Sequence, residues 1–223
     1  MTRRWETALV AIAFAVGGLV ALALTYAGPA TYTDIATHEG FATISFRERD
    51  GSLRPMRLAE LVGIHDGWIR YVTGRGDPPG GTTVPDFFTR DEQAHMADVR
   101  AVFVGFELAA VVAVGIAVIV PLLAAKRSRA AALTLVRDGA IAAGAGTALV
   151  AAVAATAFDP LFLAFHEVFF PRGNFLFGPG SNLIAMYPDA YWYGVTLRVG
   201  LTFVAVMALI AIALSATSRQ ARR

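Results

Sequence analysis

The chain has 223 residues, 56% of them hydrophobic, and its mean hydropathy of +0.57 lies well above that of a soluble domain. A net charge of +2 and a pI near 9.2 give no argument for nucleic-acid binding. Without cysteine, disulfides, thiol catalysis and Cys-based metal sites are excluded.

Four apolar runs, at about 5–27, 99–125, 131–158 and 194–216, each exceed the roughly 20 residues that cross a bilayer. They predict a membrane α-helical fold of four transmembrane helices. The first run is longer than the h-region of about 7–15 residues in a cleavable leader, and Pro29 directly follows the small residues Ala27 and Gly28. It is therefore read as a retained anchor. Between the first two runs, residues 28–97 read as an extracytoplasmic α+β domain. Residues 41–47 alternate like a strand, and Asp50-Gly51 is a turn dipeptide that closes a hairpin onto 53–58. Residues 58–71 carry helical periodicity, and the GRGDPPGG stretch at 74–81 is a loop.

Thr89-Arg90-Asp91-Glu92 fits a capping box, with Thr89 as N-cap and Glu92 reaching back to its amide. A helix starting there is expected to run to Val120, ahead of Pro121. Its roughly 31 residues give about 47 Å, more than the hydrocarbon needs, so the first turns stand outside it. Those turns place Asp91, His95 and Asp98 on one face. In the third run, Gly139, Gly144 and Gly146 allow close helix approach. Residues 159–193 then form an aromatic interfacial segment holding His166, which belongs at the same depth as His95. The expected division is thus 1–27, 28–97, 98–125, 131–158, 159–193 and 194–216, with a cytoplasmic tail at 217–223. Arg3, Arg4, Lys126, Arg127, Arg129, Arg137 and the last arginines flank one side, which makes both termini cytoplasmic.

His38 and His65 fall in the polar outward region and are read as surface residues. His95 and His166 are each beside a carboxylate, Asp98 and Glu167. A histidine takes and returns a proton near neutral pH, and a neighbouring carboxylate can hold its tautomer. Glu107 and Arg198 lie within spans, where a pair between them would offset the cost of burial. Three readings stand side by side: an acid/base enzyme, a non-enzymatic envelope protein whose outward domain binds a partner, and a metal-dependent membrane hydrolase. No His-Glu-x-x-His pattern supports the last, so no metal and no cofactor are expected.

The stretch 87–100, with its E-x-x-H-M-x-D-V motif, and the F-H-x-x-F-F motif at 165–170 resemble the bacterial lipoprotein intramolecular transacylase family. The Pro-aromatic entry to the last span, Pro188-Asp189-Ala190-Tyr191-Trp192, resembles it too, as does the order of spans. The resemblance implies a multi-pass protein of the bacterial plasma membrane with its active site at the outer leaflet. Its implied partners are membrane lipids and a diacylglyceryl lipoprotein, whose sn-2 acyl chain moves to the α-amine of the N-terminal cysteine. His95 and His166 are the implied catalytic pair, with Asp98, Glu167 and Glu92 in support. Phe165, Phe169, Phe170, Asn182 and Trp192 are expected to meet the substrate. The chain departs from the family pattern at Gly178 and Asn182, where acids are usual.

Overall fold

The computed structural model describes residues 2–78 and 87–220. The elements run α1 (Thr2–Tyr26), α2 (Pro29–His38), β1 (Ile44–Arg47), β2 (Leu53–Met56), α3 (Leu58–Val72), α4 (Arg90–Ala125), α5 (Arg129–Thr156), α6 (Phe158–Phe169), α7 (Asn182–Met186) and α8 (Asp189–Gln220). Helices α1, α4, α5 and α8 are long and apolar enough to cross a membrane. Helix α4 begins at Arg90, directly after the Thr89 cap as expected, whereas α8 begins at Asp189, ahead of the apolar run that starts at 194. Helix α4 also continues through Pro121 to Ala125. The proline withholds one N–H, which an apolar span tolerates when the remaining ladder is intact.

The chain divides into two compact units. The first is drawn from the described parts of 1–25, 106–156 and 196–223 and is wholly helical. Small residues set its packing. A Cβ on Gly18 would meet the Phe203 ring at 2.6 Å, and one on Gly139 would meet Val10 at the same distance. Glycine therefore lets these helices close on large partners, as is usual where lipid supplies no hydrophobic drive. Gly144 also faces a neighbour, Met207, whereas nothing lies within 4 Å of a Cβ at Gly146, so the expected contact there is absent. Glu6 accepts two hydrogen bonds from the Arg127 guanidinium, at 2.8 and 2.7 Å, tying the start of α1 to the α4–α5 turn. Within the first unit Glu107 Oε1 is buried with no hydrogen-bond partner among the described residues.

The second unit comprises the described parts of 26–105 and 157–195. Its two strands pair antiparallel, Ile44 opposite Met56 and Arg47 opposite Leu53. Gly51 turns the hairpin at φ 84°, a left-handed conformation that a Cβ would strain. Helix α2 is an element that periodicity did not announce; Pro29 opens it at the first helical position, where a missing N–H costs nothing. The hairpin, α2 and α3 enclose Tyr32, Phe46, Leu61 and Trp68, and Met186 and Tyr187 close the same core.

His65 lies at the centre of that core, at 0% exposure, which corrects the surface placement. Its ring stacks on Tyr32 at 4.5 Å. Nε2–H donates to the Ala27 carbonyl at 2.8 Å, and Nδ1 accepts from the Tyr187 hydroxyl at 3.0 Å. A buried imidazole with both nitrogens satisfied is a packing residue. His38 does face solvent. Of the expected 74–81 loop, residues 74–78 are described and irregular, and the rest lies outside the described residues.

Candidate active site

The capping box forms as its spacing dictates. Thr89 N–H donates to Glu92 Oε2 at 2.7 Å, and Glu92 N–H donates to Thr89 Oγ1 at 3.2 Å. The Glu92 carboxylate, only 1% exposed, does more than cap. Its Oε1 accepts the Leu183 N–H at 2.9 Å and the Ser181 hydroxyl. Ser181 is in turn the N-cap of α7. One buried carboxylate thus binds the starts of two helices, where orphan N–H groups and favourable dipoles gather.

The buried face of α4 runs through Glu92, His95 and Met96, at spacings of three and four, while Asp91 points outward. The expected face through Asp91 is therefore off by one position. His95 is 7% exposed and packs against Phe170 at 4.8 Å and Phe177 at 5.5 Å. Its Nδ1 is buried without a hydrogen-bond partner among the described residues.

His166 comes from the amphipathic helix α6 and lies with its ring centroid 6.3 Å from that of His95, the planes inclined by 18°. Its Nδ1–H donates to the carbonyl of Phe162, one turn earlier, at 2.8 Å. A carbonyl only accepts, so the proton of the neutral ring sits on Nδ1 and Nε2 carries the lone pair. Burial pushes the His166 pKa below the usual 6.5, against a smaller upward pull from the Phe162 carbonyl. The ring is therefore neutral at neutral pH. Phe162, Phe165, Phe170 and Phe175 surround it at 4.2 to 5.5 Å.

The carboxylates expected beside the histidines act elsewhere. Asp98 accepts from Arg172 at 3.2 Å and from the Asn174 amide at 2.6 Å, clamping the loop after α6. Glu167 is exposed, and the backbone of its own helix holds the His166 tautomer. Asn182 is buried with its amide committed to backbone. Oδ1 accepts from Arg47 N–H at 2.7 Å, and Nδ2 donates to the carbonyls of Arg47 and Phe87 at 2.8 and 2.6 Å. Phe170 touches both histidines, and Phe165 touches His166. Phe169 packs at a tilt against Phe165 at 4.7 Å, and Trp192 stands behind Phe162 at 6.0 Å. Phe162, Asn174, Phe175 and Phe177 complete the surroundings without having been expected there. Only Phe162 had a local signal, its i−4 spacing from His166. Among the described residues no three His, Cys, Asp or Glu side chains gather as a metal would require.

A neutral base with a fixed lone pair, beside a second imidazole inside an aromatic enclosure, suits proton transfer near an apolar substrate. Comparison with known proteins leads the same way. Residues 6–192 match the family model described as lipoprotein intramolecular transacylase Lit. No curated protein matches. Among solved structures, the membrane integral lipoprotein intramolecular transacylase Lit from Bacillus cereus is similar at 19% identity and TM-score 0.77, over 99% of this chain and 98% of that one. A form of that enzyme with one histidine replaced by arginine gives 19% and 0.73, over 99% and 94%. One with the histidine replaced by alanine gives 20% and 0.72, over 99% and 96%. At such identities the structures share a fold. The family model covers most of the sequence, and the chain is a multi-pass membrane protein that belongs to the lipoprotein intramolecular transacylase Lit family.

Proposed function

We propose that this protein moves the sn-2 acyl chain of a diacylglyceryl lipoprotein onto the α-amine of the lipoprotein's N-terminal cysteine. The observation that carries the reading is the pair of facing imidazoles, one with its tautomer fixed by the Phe162 carbonyl. His166 Nε2 is the base. The amine attacks the ester carbonyl and gives one proton to Nε2, forming a tetrahedral intermediate. The ester C–O bond then breaks, and the sn-2 oxygen leaves with a proton returned by the imidazolium, so the products are an amide and a free hydroxyl. His95 stands within one bridging group of the same centre and orients the reacting oxygen. Donor and acceptor belong to one molecule, so positioning supplies much of the rate.

Phe170 and Phe165 line the apolar part of the site. Glu92 and Asn182 act at one remove, by fixing α4, α7 and β1. The enzyme sits in the bacterial plasma membrane with both termini cytoplasmic and the site at the outer leaflet. The Glu6–Arg127 pair supports this by gathering the basic N-terminal end and the basic α4–α5 turn together. The test is mass spectrometry of an N-terminal lipopeptide from cells making the wild type, His166→Ala or His95→Ala at matched expression. Loss of acyl transfer in both variants is expected, since paired catalytic groups fail together. Normal conversion in both would return the protein to the partner-binding reading.

A further inference from the structure

Two buried side-chain atoms around the histidine pair lack a hydrogen-bond partner among the described residues. One is His95 Nδ1 and the other is Asn174 Oδ1. A buried carbonyl oxygen left unpaired costs about 1–3 kcal/mol, so it is retained where something meets it during function. The orientation of the Asn174 amide follows from its neighbour. Asp98 lies 2.6 Å from Nδ2, and a carboxylate accepts but does not donate, so only the NH2 end can face it. Oδ1 must then point the other way, as an acceptor.

Its place in the chain is equally constrained. Asp98 is three residues beyond His95 on α4, hence one turn along the same side. Asn174 directly precedes Phe175, whose ring lies 5.1 Å from His166. Phe170, at the other end of the same loop, packs on both histidines. Between them Gly173 turns the chain at φ 72°, closed by its N–H on the Phe170 carbonyl at 3.0 Å. The loop is pinned at both ends by rings on the histidines and in the middle by Asp98.

We propose that Asn174 Oδ1 binds the substrate's α-amine and holds the nucleophile against His166. This deepens the acyl-transfer reading and rests on it. Of the groups at the reacting centre, the ester and glyceryl oxygens and the thioether offer no donor; the amine does. A neutral amine has two N–H bonds and one lone pair. One N–H goes to Asn174 Oδ1 and the other to His166 Nε2, which leaves the lone pair for the ester carbonyl. The proton on His166 is the one transferred, and the N–H on Asn174 remains as the amide N–H of the product. A neutral amide oxygen also suits the task better than a carboxylate, which would favour the ammonium form and remove the nucleophile. The charge of Asp98 is instead spent on Arg172 and Asn174.

The test compares two synthetic probes, a diacylglyceryl-cysteine lipopeptide with a free amine and its des-amino analogue, in which hydrogen replaces the amino group. Their affinities are measured on full-length protein in detergent, with His166→Ala as the parent so that no turnover intervenes. The parent should prefer the free-amine probe. Adding Asn174→Leu should lower that preference by about threefold to tenfold, the worth of one hydrogen bond. Binding of the des-amino probe should stay unchanged and so report an intact site. Arg172→Ala, which removes the other partner of Asp98, should keep the preference. An undiminished preference in Asn174→Leu would overturn the assignment while leaving the acyl-transfer reading standing. Failure of the parent to bind either lipopeptide would overturn both.

Discussion

His65 offers a direct test of how the second unit is held together. Its imidazole is buried and bonded to the Ala27 carbonyl and the Tyr187 hydroxyl, and burial pushes its pKa down to about 4 from the usual 6.5. Replacing it with leucine keeps the bulk but strands two buried polar groups, a cost of about 3 kcal/mol at neutral pH. In a chain of this length that lowers the melting midpoint by roughly 6–12 °C. The difference should also depend on pH. The unfolded chain takes up a proton on His65 below about 6.5, whereas the folded protein does so only near 4, so the contribution of a neutral His65 is present above 6.5 and lost as pH falls towards 4. At about pH 5 the wild type has lost about 2 kcal/mol that the leucine variant never had. The gap between the two should therefore shrink to about 1 kcal/mol, with all other titrating groups common to both. Tryptophan fluorescence during heating in detergent reads this well, since Trp68 lies in the same core. A gap of equal size at both pH values would refute the neutral, doubly bonded imidazole.

Acyl transfer should fall as pH drops through a value below 6.5, because His166 must be neutral to accept the amine's proton and its pKa is lowered by burial; a rate that rises on acidification would contradict the base assignment. Glu92→Ala leaves Thr89 N–H, Leu183 N–H and the Ser181 hydroxyl without their acceptor and should cost about 3 kcal/mol, with Glu92→Gln less damaging. Denaturation in detergent checks it, and an alanine variant as stable as the wild type would show that the carboxylate does not join the two helices. Reporter fusions at Gly76 and at the C-terminus should report the outer and the cytoplasmic side respectively; two outward signals would break the topology.

What could be read from the residue order divides by the range of the interaction that decides it. Span length, the Asp50-Gly51 turn and the Thr89–Glu92 box are local, and each formed as its pattern required. His95 and His166 could be placed together because membrane depth acts as a shared coordinate for residues far apart in sequence. His65 was misplaced for the opposite reason. Tyr187, one of the residues that bury it, is 122 positions away and carries no local mark. Asp98 and Glu167 look like histidine partners in one dimension, but Asp98 is turned to Arg172 and Asn174, and the helix backbone takes the role assigned to Glu167. Asn174, Phe175 and Phe177 follow the turn that Gly173 makes after α6, and contacts with Asp98 and His166 hold Asn174 and Phe175 in place.

The Asn182 amide has an effect on the small sheet beyond tethering it. By accepting the N–H and donating to the carbonyl of Arg47, the side chain does what an adjoining strand would do at that position. Exposed strand edges invite further pairing, both with other proteins and in aggregates. A single amide from α7 thus blunts the outer margin of β1 without a third strand, and a two-stranded ribbon survives as a finished element. Shortening this residue to alanine would reopen that margin, giving the hairpin a free ladder rung on which a foreign strand could begin to grow.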